Sequence, residues 1–543
     1  MNIRFIYLSV VAVLFVLIFA LFMPAFLWLY LIVLPLIVVG FMDMRQASHS
    51  IRRNFPLFGR GRWVMEAIRP FIRQYLIESD TDEAPISRVF RNVIYQRAKG
   101  ERDTVPFGTK FDVYRVGYEW IGHSLSAINI PESAHDLRVT VGGSDCKQPY
   151  SSSILNISAM SFGALSGNAI ASLNLGAKLG GFSHNTGEGG LSPYHLLHGG
   201  DLVWQIGTAY FGCRDEQGRF SEALFAQKAQ NTAVKMIEIK LSQGAKPGHG
   251  GILPADKNTP EIAEIRGVKA HTQVNSPPTH SEFDSPLGLL HFVARLRALS
   301  GGKPVGFKLT IGRPSEFVGI CKAMRKTGIC PDFITVDGAE GGTGAAPLEY
   351  ANSIGMPLRD AVAFVSDCLV GFDLKKEVKI IASGKVIAGF HLVKNFALGA
   401  DICNNARANM LALGCVQSLI CNTNRCPTGV ATQDSRLAQG LVVEDKSKRV
   451  FRYHKATVKA TAEIIASAGL SHTNEVNRSH IFRRVSAQRV SRYDEIFPYL
   501  KTGDLLGDNI PDHFKLVMNE STAERFSPEH CLTCIDEKIE AKV

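Results

Sequence analysis

Hydrophobic and polar positions along this chain fall into distinct regimes. From Phe5 to Met42 no charged side chain occurs, and Pro24 interrupts the apolar run near its middle. A membrane-spanning helix needs about 20 apolar residues, so the pattern predicts two spans, roughly 5–23 and 25–42, joined by a tight turn. The stretch is too long for the apolar region of a signal peptide, and no small-residue cleavage site follows it. Arg4 precedes the hairpin, and Arg45, Arg52 and Arg53 follow it. The excess of positive charge predicts a two-pass inner-membrane topology with both ends, and everything after residue 45, in the cytoplasm.

Residues 46–150 read as an accessory segment. A helical pattern covers Trp63–Leu76, an acidic turn follows at Glu78, Asp80, Asp82 and Glu83, and shorter β-like runs lie near Phe111–Tyr118. From Ile154 the pattern changes to short β-branched runs, each followed by a Gly-rich loop and a helical stretch. Eight candidate strands are predicted at Ile154–Ser158, Phe182–Asn185, Leu202–Ile206, Lys235–Leu241, Pro304–Leu309, Phe333–Val336, Val378–Ala382 and Asp401–Asn404. Strands alternating with helices imply parallel β/α units, and eight of them suggest an α/β fold closed as a (β/α)8 barrel. An open doubly wound sheet is the alternative, but no G-x-G-x-x-G follows the first strand. The expected organisation is therefore a hairpin (1–45), the accessory segment (46–150), a barrel domain (151–480) and a polar tail (481–543).

The predicted strand ends are polar and rich in glycine. Ser158-Ala-Met-Ser161-Phe-Gly163 follows the first, Asn185-Thr-Gly187-Glu188-Gly189-Gly190 the second, and Gln205 lies in the third. The fourth leads into Gln243-Gly-Ala-Lys246-Pro-Gly248-His249-Gly250-Gly251, the fifth carries Lys308, and the sixth leads into Asp337-Gly-Ala-Glu340-Gly341-Gly342. Ser383-Gly384-Lys385 and Asn404-Asn405-Ala406-Arg407 close the series. Loops at this end of a barrel build its ligand site, and glycine there lets backbone N–H groups approach an anion. One such Gly pair alone reads equally as a turn.

The net charge of +10 is concentrated beside the hairpin: between Arg45 and Arg73 seven arginines face a single acid, Glu66. Nucleic-acid binding would require basic residues interleaved with stacking aromatics or a recognisable module, and neither is present. Attraction to anionic headgroups is the simpler account. Eleven cysteines without framework spacing fit a reducing compartment. Three of them, Cys415, Cys421 and Cys426, form a C-x5-C-x4-C run followed by Pro427. Thiolates so spaced suit an iron–sulfur cluster, although three buried thiols with no metal would read alike. The closing Cys531–Cys534 pair is a lone C-x2-C in a polar context, for which no role is favoured.

Together SAMSFGALS, HNTGEGG, EIKLSQGAKPGHGGILP, VDGAEGGTGAAP, ASGK and CPTGVATQ, in that order from about Ser158 to Gln433, resemble the synthase domain of glutamate synthases, in particular the small FMN-binding glutamate synthase family. The resemblance implies an FMN-holding barrel beside a 3Fe-4S cluster on Cys415, Cys421 and Cys426. It implies that reduced FMN converts the imine of 2-oxoglutarate and ammonia to L-glutamate. Lys246 and Arg266 occupy the positions that in the family hold 2-oxoglutarate, and Glu188 is a candidate for proton handling. Lys308 would lie against the flavin N1–O2 edge and stabilise the reduced ring. Gln205 and the turn Ser158, Ala159, Met160 and Ser161 would hydrogen-bond the ring. Gly341 and Gly342 belong to the same cofactor-binding set, and Gly384 and Lys385, with Ala406 and Arg407, would hold the phosphate.

The match has departures. The large enzymes begin with a cysteine nucleophile in a glutaminase domain, whereas Met1-Asn2 leads directly into the hairpin here, so glutamine hydrolysis is not expected. Gly250-Gly251-Ile252 stands where the large enzymes have Gly-Gly-Gln, and His249 replaces a glutamate. No nicotinamide fingerprint is visible, so the electron donor is expected to be external, a ferredoxin or a reductase subunit. The leading expectation is a membrane-tethered glutamate synthase using free ammonia. Use of a primary amine to make an N-alkylglutamate, and a non-catalytic electron-transfer subunit, are the alternatives.

Overall fold

A computed structural model describes residues 2–82, 84–101, 104–129 and 137–528; Cys531 and Cys534 lie outside the described residues. The chain divides into two compact units, Met1–Asp82 and Glu83–Val543. In the first, helix Asn2–Phe22 and helix Tyr30–Arg45 are joined by the 3-10 turn Pro24–Leu29. Ile3–Phe22, and Pro24–Arg45 once the 3-10 turn is counted with the second helix, are long and apolar enough to cross a membrane. The Tyr30 hydroxyl donates to the Val13 carbonyl at 2.8 Å, tying the two together.

The second unit is organised by a closed parallel barrel. Its strands, in chain order and in neighbour order alike, are β1 Leu155–Ile157, β2 His184–Asn185, β3 Leu202–Ile206, β4 Val234–Lys240, β5 Val305–Leu309, β6 Phe333–Asp337, β7 Lys379–Ser383 and β8 Ile402–Asn405. All eight fall within the stretches expected from the sequence to within a residue or two. Alternation sends Ile237 and Ile239 of β4, and Ile334 and Val336 of β6, outward to the helices. The inward positions are graded along the barrel axis. Val203, Met236, Phe333, Ile381 and Ile402 form an apolar layer, which Val141 and Tyr150 of the hairpin Arg138–Val141/Tyr150–Ser153 close from below. Two residues further along each strand the interior turns polar, at Gln205, Glu238, Thr335, Ser383 and Asn404. That gradient makes one end of the barrel a plug and the other a site.

Helix α1 (Gly167–Gly180) packs against α2 (Val443–Ser467), which closes the barrel's outer ring beside helix Arg88–Lys99. Gly176 permits this approach, because a Cβ there would meet the Val450 Cβ at 2.8 Å and the Ser447 carbonyl at 2.9 Å. Gly176→Val is expected to destabilise the second unit by about 1–3 kcal/mol through overpacking, read as a lower melting temperature.

Two expectations are corrected. Phe111–Tyr118 forms turns, and the strand begins only at Glu119–Ile121, after Gly117 takes φ +93°. Its partner is Ile481–Arg484, which pairs in turn with Val490–Arg492. Residues 481–528 thus fold back instead of trailing as a polar tail. Buried Leu500, Leu505 and Phe514 anchor them to the main core.

Candidate active site

The polar end of the barrel opens into a cavity ringed by the strand ends. Ser158 and Ala159 after β1, Gln243 after β4, Lys308 of β5, and Asp337, Gly341 and Gly342 at and after β6 line it. Ser383, Gly384 and Lys385 at the end of β7, and Asn405, Ala406 and Arg407 at the end of β8, complete the ring, with Ile86 beside them.

The charge of this lining is set by three cations, Lys308, Lys385 and Arg407, against one carboxylate, Asp337. Lys308 Nζ lies 3.1 Å from Asp337 Oδ2, and both side chains are buried. Burial opposes the Lys308 charge, but Asp337 and then Glu238 outweigh it and raise its pKa. Gly384 (φ +145°) and Lys385 (φ +47°) turn the chain sharply at the end of β7. A Cβ at Gly342 would lie 2.9 Å from Arg407 Nε, so glycine keeps that wall open. A net-positive, glycine-walled cavity suits a phosphate group and an electron-rich ring, and the residues therefore fit FMN.

Gln205, Met160 and Ser161 do not line this cavity. Gln205 lies below it, where Glu238 Oε1 accepts its Nε2–H at 2.7 Å. The same carboxylate accepts from Asn185 Nδ2 at 2.7 Å and from Thr335 Oγ1 at 2.6 Å, so it links strands β2, β3, β4 and β6 across the interior. Met160 donates its backbone N–H to the Asn185 carbonyl at 3.1 Å. Ser161 packs beside Gly187 and Gly189, where a Cβ would approach it to 2.9 Å.

A second, smaller cavity adjoins the first, and Gln243 lines both. Glu188, Thr208, Lys240, His249, Gly250, Gly251 and Pro277 form its walls. Lys240 Nζ meets Glu188 Oε1 at 2.8 Å. Gly207 and Gly251 make room for that carboxylate, since a Cβ at either would collide with it. Burial pushes the Glu188 pKa up, but Lys240, then Lys246 and Arg266, hold it below its usual value. Burial, and then the Lys240 charge, push Lys246 down to about 8 against the attraction of Glu188. Arg266 is pushed to about 10 by burial, again opposed by Glu188.

Arg266 donates from Nη2 to the Phe162 carbonyl at 3.1 Å and lies 5.1 Å from the centre of the Phe211 ring. Its Nε has no partner among the described residues. Gly163 (φ +102°) and Gly189 are both positions where a Cβ would come to 3.0 Å of its guanidinium. The structure thus brings Glu188, Lys246 and Arg266 into one electrostatic cluster. It adds Lys240, Glu238, Gln243 and Asp337, to which the sequence assigned no role. The signal for two of these was present: Glu238 and Lys240 are the charged positions of an alternating strand, Ile-Glu-Ile-Lys, and alternation aims both inward.

The three cysteines follow the short helix α3 (Arg407–Leu413), whose first residues line the larger cavity. Gln417 (φ +55°), Leu419 (φ +58°) and Asn424 (φ +60°) hold the loop in a tightly wound path. The Tyr95 hydroxyl donates to the Cys415 carbonyl at 2.7 Å. The thiols feel one another's charge: burial and then its two neighbours raise Cys415, partly offset by the Gln417 N–H. Burial opposes the Cys426 thiolate, but the Thr428 hydroxyl and backbone N–H groups outweigh it and lower its pKa. Burial pushes Lys257 down to about 8, partly offset by Cys421 and Cys426, which lie close enough to favour its charge. The thiols are near enough for their charges to interact, with N–H groups and a cation beside them. Thiolates are the residue type that holds an iron–sulfur cluster, but among the described residues no three His, Cys, Asp or Glu side chains are grouped to hold a metal ion.

The chain matches the model of the conserved region in glutamate synthase over residues 135–471. It is 35% identical over 507 residues to the glutamate synthase large subunit-like protein YerD of Bacillus subtilis, covering 86% of this chain and 96% of that protein. It is also 35% identical over 318 residues to the archaeal glutamate synthase (NADPH) of Methanocaldococcus jannaschii, covering 58% of this chain and 59% of that protein. A lactate oxidase structure from Pediococcus acidilactici overlays with a TM-score of 0.42 at 15% identity, over 77% of this chain and 92% of that chain. On the strength of the family match and the near full-length relative, the chain belongs to the glutamate synthase family, oxidoreductases acting on CH–NH2 groups.

Proposed function

We propose that this protein reductively aminates 2-oxoglutarate to L-glutamate, with FMN in the larger cavity and a 3Fe-4S cluster on Cys415, Cys421 and Cys426. The observation that carries this reading is the shared wall at Gln243, which would make a ligand in the small cavity, beside the Lys240–Glu188 pair, the neighbour of a flavin in the large one. FMN bound there would, when reduced, supply a hydride to the imine carbon. Lys246 and Arg266 supply the charge to hold the dicarboxylate, Arg266 through a planar fork and Lys246 as a point charge. The paired Glu188 carboxylate and Lys240 ammonium flank the position where ammonia condenses; the carboxylate takes a proton from the attacking nitrogen while the ammonium gives one to the carbonyl oxygen. The carboxyl then gives its proton to the leaving hydroxyl, which departs as water, while the amine recovers one from nitrogen. Lys308, which lines the cavity, would stabilise negative charge on a ring bound there. Lys385 and Arg407, with the Gly384 turn, hold the phosphate.

Helix α3 spans about 10 Å from the cavity to the cysteine loop at 1.5 Å per residue, a short path for electrons entering from an external donor, a ferredoxin or a reductase subunit. The two apolar helices of the first unit tether the enzyme to the inner membrane, with the barrel on the cytoplasmic side. The Pro277–Pro278 flank of the small cavity favours a second reading, in which a primary amine replaces ammonia and the product is an N-alkylglutamate.

The test is direct. Detergent-purified protein should release about one FMN per chain, hold about three irons, and form glutamate from 2-oxoglutarate and ammonia with an artificial reductant. Turnover with methylamine in place of ammonia would establish the second reading. Intact cofactors without either product would leave an electron-transfer subunit.

A further inference from the structure

We propose that helix Phe58–Ile72 and its continuation Arg73–Ile77 lie flat in the headgroup layer of an anionic leaflet, as a third, non-spanning membrane contact. The proposal rests on the reading of the preceding hairpin as membrane-spanning. Val64, Ile68, Phe71 and Tyr75 follow one another at spacings of four, three and four residues, which places them on one helical stripe. They are 57%, 38%, 53% and 58% exposed, and Met65 and Leu76 extend the stripe at 62% and 80%. Arg62, Arg69 and Arg73 form an exposed row along its edge. An apolar stripe flanked by arginines is the pattern of helices that sit at a bilayer surface, with the apolar side among acyl chains and the cations among phosphates.

A second observation fixes where this helix starts. Asp43 lies near the end of the second apolar helix and is only 1% exposed. It accepts from Arg60 Nε at 2.9 Å, from Arg60 Nη2 at 2.8 Å and from the Leu57 N–H at 3.2 Å. The first turn of the arginine-edged helix is thereby pinned to the membrane exit of the span. Arg52 lies 4.3 Å from the Trp63 ring centre, adding the cation and aromatic pairing common at interfaces. With Glu66 the only acid between Arg45 and Arg73, the surface is complementary to anionic lipid, for which phosphatidylglycerol serves as the probe.

The full-length protein in mixed phosphatidylcholine–phosphatidylglycerol nanodiscs tests this, with the photocrosslinker p-benzoylphenylalanine placed at Leu14, Phe71 or Glu66 in separate variants. Lipid capture at Leu14 reports the hairpin, and failure there removes both readings. Given capture at Leu14, lipid capture at Phe71 and none at Glu66 is the expected result. Capture of protein at Phe71, from the chain's own second unit or a second copy, would overturn the proposal. Captured lipid should be enriched several-fold in phosphatidylglycerol over its bulk fraction. That enrichment should vanish in R62Q/R69Q/R73Q and persist in the corresponding lysine variant; enrichment that survives the glutamines refutes the role of the arginines.

Discussion

Replacing Glu238 with leucine is expected to cost the second unit on the order of 3–5 kcal/mol, the range found when one partner of a buried charged network is removed. The residue is 1% exposed, and its carboxylate is the acceptor for Asn185, Gln205 and Thr335. Leucine fills much of the same volume but accepts nothing, so three donors from strands β2, β3 and β6 are left in a dry interior, each at about 1–3 kcal/mol before relaxation. Lys308 also loses a carboxylate that favours its charge, leaving Asp337 as its direct partner. Glu238→Gln separates shape from charge. Its amide oxygen can still accept from Asn185 and Gln205, and the Thr335 hydroxyl can rotate to accept from its NH2. That variant should stay within about 1 kcal/mol of the parent. Melting at one fixed scan rate compares the three proteins, because a chain of this size is expected to unfold irreversibly. Coincident melting of Glu238→Leu and parent would show that these hydrogen bonds do not hold the barrel together.

The second large effect concerns Lys246. If it holds a substrate carboxylate, Lys246→Ala should weaken 2-oxoglutarate binding about tenfold to a hundredfold, the value of one charge-assisted hydrogen bond. Its pH dependence is distinctive because burial and Lys240 lower its pKa to about 8. Below that pH the side chain is a cation and attracts the dicarboxylate. Above it the free enzyme carries neutral Lys246, and binding must be accompanied by proton uptake, so affinity should fall as pH rises through about 8. Titrating the oxidised enzyme with 2-oxoglutarate and following the flavin spectrum reads this without the complication of ammonia's own ionisation. Lys246→Arg keeps its charge through this range and should abolish the break. Unchanged affinity in Lys246→Ala, or a flat profile in the parent, would remove Lys246 from the substrate site.

The parts of this protein visible in the sequence were those written in local patterns. Apolar run length marks the two long helices, since crossing a bilayer is a matter of length and composition. Short β-branched runs closed by glycine mark all eight barrel strands, and the eight-fold alternation with helices marks their closure. Gly163, Gly189, Gly251 and Gly342 stand out as a series, and the structure supplies their reason: each keeps a Cβ out of the space taken by Arg266, Glu188 or Arg407.

Other features depend on which residues meet when the sheet closes, and no local pattern carries that information. Phe111–Tyr118 looked strand-like, yet the strand begins at Glu119 because its partner lies beyond residue 480. Residues 481–528 are polar enough to read as a tail, but a few buried side chains such as Leu505 and Phe514 suffice to dock them. Gln205 could be read as a ring contact, whereas closure places it beneath the cavity against Glu238. Sequence alone determined the fold class, the strand positions and the residue types available for chemistry, because each follows from periodicity and composition. Only the tertiary structure decided which charges pair, Lys240 with Glu188 and Lys308 with Asp337, and that Gln243 divides two adjoining cavities. Those choices arise from strand register and barrel closure, which bring together residues far apart in the chain, 52 positions in the case of Lys240 and Glu188.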